Sequence, residues 1–186
     1  MKNVIFIFLI TCINLLSISC TNISKKQAKE IKADTLVSVQ NNILGVELGK
    51  TTIPNATEIA TKNGWQYEIF EDGSEIQVSV KTPINFGDID WDGVDFLFLR
   101  HKAYMVLFSE NNCKHNKEQE EKRFYCIAKK VIQKYPKAKI DTKDKFLKYS
   151  DGTYTIILEI DKYGRGLMLS YEINGNKIDK IIAPEL

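Results

Sequence analysis

Four aspartates fall close together in Asp88-Ile89-Asp90-Trp91-Asp92-Gly93-Val94-Asp95. Carboxylates at alternate positions followed by glycine are how calcium loops converge hard oxygens on one ion. Asp88, Asp90, Asp92 and Asp95 are therefore candidate metal ligands. A calcium loop places a bidentate glutamate at its twelfth position, and here that position is Leu99. Ile89 and Trp91 between the carboxylates equally suit an extended segment with one apolar face. Acid/base work by these groups would need a substrate cleft that spacing alone does not supply. Cys113 and Cys126 are a second candidate, since a cysteine pair in an oxidising compartment suggests a disulfide. Such a loop would contribute about 3 kcal/mol in the chain-entropy model. On one helix the two would lie roughly 20 Å apart, so residues 113–116 would have to fold back. The alternative for Cys126 is a buried core thiol. Cys113-Lys114-His115 with His101 is too sparse and loosely spaced for zinc. No Gly-x-Ser-x-Gly elbow occurs, and Gly164-Arg165-Gly166 is too short for a phosphate loop. Trp65, Trp91 and the tyrosines suit core and sheet packing. The residues nominate no catalytic group and no cofactor, so the expectation is a protein that is not an enzyme.

The chain around these residues is 186 long, 44% hydrophobic and 27% charged, with a net charge of +2. That is a globular balance, and its near-zero charge gives no argument for nucleic acid. The length suits one domain. Lys2 followed by the apolar run Val4–Leu16 reads as a secretory leader, because the run is too short to cross a bilayer. Ser19 directly before Cys20 resembles the bacterial lipobox, whose cysteine is acylated and becomes the new first residue. Ser17 stands where that motif prefers leucine, with Leu16 one place earlier; Leu9-Ile10-Thr11-Cys12 is a rival with too short an apolar core. Cys20 is thus the expected lipidation site, residues 1–19 the signal peptide and 20–42 a flexible tether carrying Lys25, Lys26, Lys29 and Lys32. Acyl chains such as palmitate add about 0.8 kcal/mol per buried CH₂ and would hold the amino terminus in a leaflet.

Residues 43–186 are the expected folded part. Ile43–Gly49 reads as a short extended segment, Ile53–Asn63 as a helix opened by Pro54, and Trp65–Phe70 as a strand. Asp72-Gly73 marks a hairpin into the alternating Ile76, Val78 and Val80. Val94, Phe96 and Phe98, then Tyr104, Val106 and Phe108, read as two strands about an Arg100-His101-Lys102 turn. Glu118–Tyr135 is the clearest helix, with Phe124, Ile127, Ala128, Val131 and Ile132 on one face and Pro136 as its stop. Four strands are expected after it, at 145–149, 153–160, 166–173 and 177–182. Phe70–Ile76 aligns with Tyr149–Thr155, 79 positions on, and helix-then-four-strands occurs twice. The expected fold is α+β, two tandem helix-plus-antiparallel-sheet units (about 43–110 and 115–186) packed as one elongated domain.

The leader, the tether, Ile43-Leu44-Gly45-Val46-Glu47-Leu48-Gly49-Lys50-Thr51, the short helix and the antiparallel strands resemble the BamE-like and beta-lactamase-inhibitor-protein-like superfamily. Ile84-Asn85-Phe86-Gly87, Trp91-Asp92-Gly93-Val94 and Phe96-Leu97-Phe98 are similar to small lipoproteins of Bacteroidetes-type envelopes. The resemblance implies a lipid-anchored module in the cell envelope, the outer membrane favoured, that works through its surface on an envelope protein and takes no cofactor. It carries over no functional residue. The alternative expectation is a calcium or small-ligand binder using the Asp88–Asp95 loop.

Overall fold

Valine, isoleucine and phenylalanine at every second position keep most of the body extended. The computed structural model describes residues 36–110, 116–160 and 166–182, all within a unit running Thr35–Leu186. Two short paired segments, β1 (Asn42–Ile43) and β2 (Val46–Glu47), lead into helix α1 (Ile53–Lys62). Next come β3 (Tyr67–Asp72), β4 (Glu75–Val80), β5 (Ile84–Asn85), β6 (Asp90–Trp91), β7 (Gly93–Leu99) and β8 (Lys102–Ser109). Helix α2 (Lys117–Lys134) precedes β9 (Lys139–Asp141), β10 (Phe146–Ser150), β11 (Tyr154–Ile160) and β12 (Leu167–Ile173). A 3₁₀ turn (Gly175–Lys177) and the short helix α3 (Ile178–Ile181) follow. Eight strands make one antiparallel sheet in the order β3-β4-β7-β8-β12-β11-β10-β9, and β5 pairs with β6 apart from it. The fold is α+β and mostly sheet.

Both long helices begin where their sequence says. Pro54 sits in the first turn of α1, where a missing N–H costs nothing. Asn116 and Gln119 form a reciprocal capping box on α2: the Gln119 N–H donates to Asn116 Oδ1 at 3.0 Å and the Asn116 N–H donates to Gln119 Oε1 at 2.9 Å. Phe124, Ile127, Ala128 and Val131 recur at helical spacing and are all buried.

Register shows which sheet face they cover. Val80, Val94, Phe108, Leu169, Leu158 and Leu147 lie in one row across the six central strands. Val78, Phe96, Val106, Tyr171, Ile156 and Tyr149 form the next row, and both rows are buried. The buried residues of α1 and α2 that line this core, Val39 and Ile43 join the same cluster. Phe86 stacks on Phe108 at 4.6 Å between ring centroids, which sets the β5–β6 hairpin on this face too. The Tyr149 hydroxyl donates to the Val37 carbonyl at 2.6 Å, and the Val39 N–H donates to Asp151 Oδ2 at 2.7 Å. The fold therefore includes residues 37–42, which sequence composition assigns to the tether.

Two further expectations change. Residues 177–182 are not a strand, because Ile178, Ile181 and Ile182 recur at helical rather than alternate spacing. Ile181 packs so closely on Gly49 that a Cβ there would meet its side chain at 2.5 Å. The remaining strand is β9, three residues long and too brief to show a period. As a result Asp72-Gly73 joins β3 to β4, the edge pair, whereas Asp151-Gly152 joins β10 to β11, one strand further in. The matching letters do not mark matching places in the sheet.

Candidate functional site

Alternation that buries one face of the sheet presents the intervening residues on the other. Ser79, Asp95, Leu107, Ser170, Ile157 and Lys148 form one row there. Gln77, Leu97, Met105, Glu172, Thr155 and Ser150 form the next. Ser109, Met168, Glu159 and Phe146 make a third. Leu97, Met105, Leu107, Ile157 and Met168 give this face an apolar centre, yet none belongs to the core cluster that the helices line. Small Ser79, Thr155 and Ser170 are buried between these larger neighbours. Met168 is buried as well, and Leu97, Met105, Leu107 and Ile157 remain half-buried on this open face.

A bulge shapes one margin. Leu97 pairs with Met105 and Phe98 with Ala103, so Tyr104 is an extra residue in β8. Its hydroxyl donates to Glu75 Oε1. Burial, the bond to Glu75 and the charges of Glu75 and Glu172 all push the Tyr104 pKa well above the usual phenol range. Burial also raises the Glu172 carboxyl, with Lys148 opposing the shift and Glu159 adding to it. Lys81 lies 3.8 Å from Glu68, and its Nζ sits 5.5 Å from the centroid of the Phe70 ring. On this face the carboxylates of Glu68, Asp72, Glu75, Asp95, Asp141, Glu159 and Glu172 outnumber the ammonium groups of Lys81, Lys102, Lys139 and Lys148.

The aspartate run does not gather. Asp88 sits in the β5–β6 turn with φ 57°, and its Oδ2 is 3.8 Å from Lys130 Nζ. Asp90 Oδ1 accepts from Asn85 Nδ2 at 2.7 Å. The Asp92 N–H donates to the Ser109 carbonyl at 3.1 Å, and Asp95 points to the open face beside Ser79 and Leu107. Among the described residues no group of three or more His, Cys, Asp or Glu could hold a metal ion. The run instead turns at Asp88 and is extended at Asp90–Trp91 and from Gly93 on, with Trp91 fully buried 5.5 Å from the Phe108 ring.

Cys126 is exposed on α2 and forms no disulfide among the described residues, so the core-thiol expectation is corrected. It lies on the solvent side of a helix whose inward stripe is Phe124, Ile127 and Ala128. Cys113, its expected partner, and Cys20, the expected lipidation site, lie outside the described residues, as does His115. His101 occupies the β7–β8 turn at φ 63°. The ion pair that sequence reading missed is Glu110 with Arg123. Arg123 Nε donates to both carboxylate oxygens at 2.8 and 2.9 Å, Nη2 also reaches Oε1, and Glu110 is almost fully buried. It ties α2 to the residue after β8. A sheet face as contact surface is the expectation of the binding-module reading, but its residues were not identified, although β7 carries a signal for them: Leu97 and Leu99 make both faces of that strand apolar.

Comparisons with protein-family models, with curated proteins and with solved structures return no match for this chain.

Proposed function

We propose that this chain is an envelope lipoprotein, lipidated at Cys20 and held on a membrane, whose folded unit is a non-catalytic module that binds another envelope protein. The observation that carries this reading is the apolar centre of the open face. Leu97, Met105, Leu107, Ile157 and Met168 lie outside the core cluster, and a sheet face that sets apolar residues among charged ones suits protein contact. A tether would raise the local concentration of the module near membrane partners. The strand order supports a finer reading as well. One helix with β3, β4, β7 and β8, and a second with β9 to β12, would be two tandem units joined at β8 and β12, in the manner of the BamE-like and beta-lactamase-inhibitor-protein-like folds.

The test is in-cell crosslinking of the full-length chain followed by affinity capture. The reading expects one envelope protein with the wild type, less of it with Cys20→Ala, and none with Leu97→Glu/Leu107→Glu at normal protein level. Equal capture by the open-face variant would remove the reading.

A further inference from the structure

We propose that the outer edge of β3 accepts a basic, extended segment of a partner protein as a ninth strand of the sheet. This rests on the binding-module reading and gives the partner a chemistry. β3 is an edge strand, and all six of its residues are exposed, Ile69 by 46% and Phe70 by 48%. The Lys81 N–H donates to the Gln66 carbonyl at 2.8 Å. Hydrogen-bonded pairs alternate along an antiparallel ladder, so residues 68, 70 and 72 face β4 and Tyr67, Ile69 and Glu71 turn their N–H and C=O groups outward. No described group bonds those outward rungs. An unpaired edge of this length with apolar side chains is a template for another strand.

Charge decides what can use it. β3 carries Glu68, Glu71 and Asp72 and no base. Outward rungs at 67, 69 and 71 restrict antiparallel pairing with a second copy to registers centred on Glu68, Ile69 or Phe70. The first sets Glu68 opposite itself. The second sets Glu68 diagonal to the other copy's Glu68 and Asp72. The third sets Glu68 directly opposite Asp72. Like charges in these positions repel, so the edge is guarded against its own kind. A strand with lysine or arginine opposite the three carboxylates, and apolar residues opposite Tyr67, Ile69 and Phe70, meets no such barrier. The acidic bias of the neighbouring open face acts in the same direction.

The test is fluorescence anisotropy with the full-length chain in detergent. The probe is the labelled peptide Thr-Lys-Lys-Val-Val-Lys-Val-Thr, with a control in which glutamate replaces each lysine. The proposal expects saturable, salt-sensitive binding of the lysine peptide. Binding should weaken at least about tenfold for the glutamate peptide and for Glu68→Lys/Glu71→Lys. Ile69→Pro should abolish it. That substitution removes an N–H directed away from β4, so the sheet should persist, as a thermal melt would show. Both charge-reversal sites are exposed, which keeps the test valid should the proline variant unfold. No binding by the wild type, equal binding of both peptides, or full binding by the charge-reversal variant would overturn the proposal. So would sedimentation showing that the wild type self-associates through Ile69. Partner capture that still depends on Leu97 and Leu107, alongside no peptide binding, would overturn the edge proposal and leave the binding-module reading standing. Loss of both would remove both.

Discussion

Phe108 and Leu107 are adjacent in β8 and belong to different worlds. Phe108 is fully buried between Phe86 and Trp91 on the face that the helices cover. Leu107, one peptide unit away, is half-buried between Asp95 and Ser170 on the open face. Both are large and apolar, so residue type does not separate them; what packs against each does. Folding uses the first face, and the second is left with apolar area that the fold does not need.

Truncation should expose that difference most sharply. Phe108→Ala removes buried aromatic contacts and is expected to cost about 3–5 kcal/mol in urea unfolding. Leu107→Ala, its neighbour, is expected to cost under about 1 kcal/mol, because water already reaches it. Equal losses would mean that the open face is a second core. Arg123→Ala comes next. It leaves the Glu110 carboxylate buried without its bidentate partner, and about 2–4 kcal/mol should be lost.

Smaller effects sharpen the open face itself. Burial raises the Glu172 carboxyl above its ordinary 4.5, so the folded chain holds that proton more tightly than the unfolded chain. Stability from this group is full below the unfolded value and is lost as pH rises through the raised folded value. Glu172→Gln should therefore match wild type at the acid end and be the more stable protein at neutral pH. Solvent screening keeps the gain under about 1 kcal/mol, readable as a difference between two pH–melting curves. The smallest expected effect is from Asp90→Asn/Asp92→Asn. With these carboxylates dispersed, calcium should leave the melting temperatures of wild type and variant alike unchanged.

Much of the covered face was legible in the sequence, and the residues of the open face were not. Alternation exposed β4, β7 and β8, and helical spacing with Pro136 exposed α2, because burial on one side writes a period into the letters. Lys139–Asp141 is too short to carry a period, and Ile178–Ile181 carries one that a flanking Asn174-Gly175 disguised as a hairpin. The aspartate run drew attention by composition, but its side chains are dispersed over a hairpin and the start of β7. The Glu110–Arg123 pair joins residues 13 apart that only the packing of α2 brings together. The residues of the open face escaped notice because its apolar members sit among polar ones on four strands, a neighbourhood that exists only after the sheet has formed.

The central claim is that the open face, not the helical one, meets the partner. Site-specific photocrosslinking in cells tests it most directly, with a photoreactive phenylalanine analogue placed at Leu107 on the open face and at exposed Lys129 on α2. The account expects one discrete crosslinked envelope protein from position 107 and none from 129. A product from 129 alone, or none from either position, would contradict it.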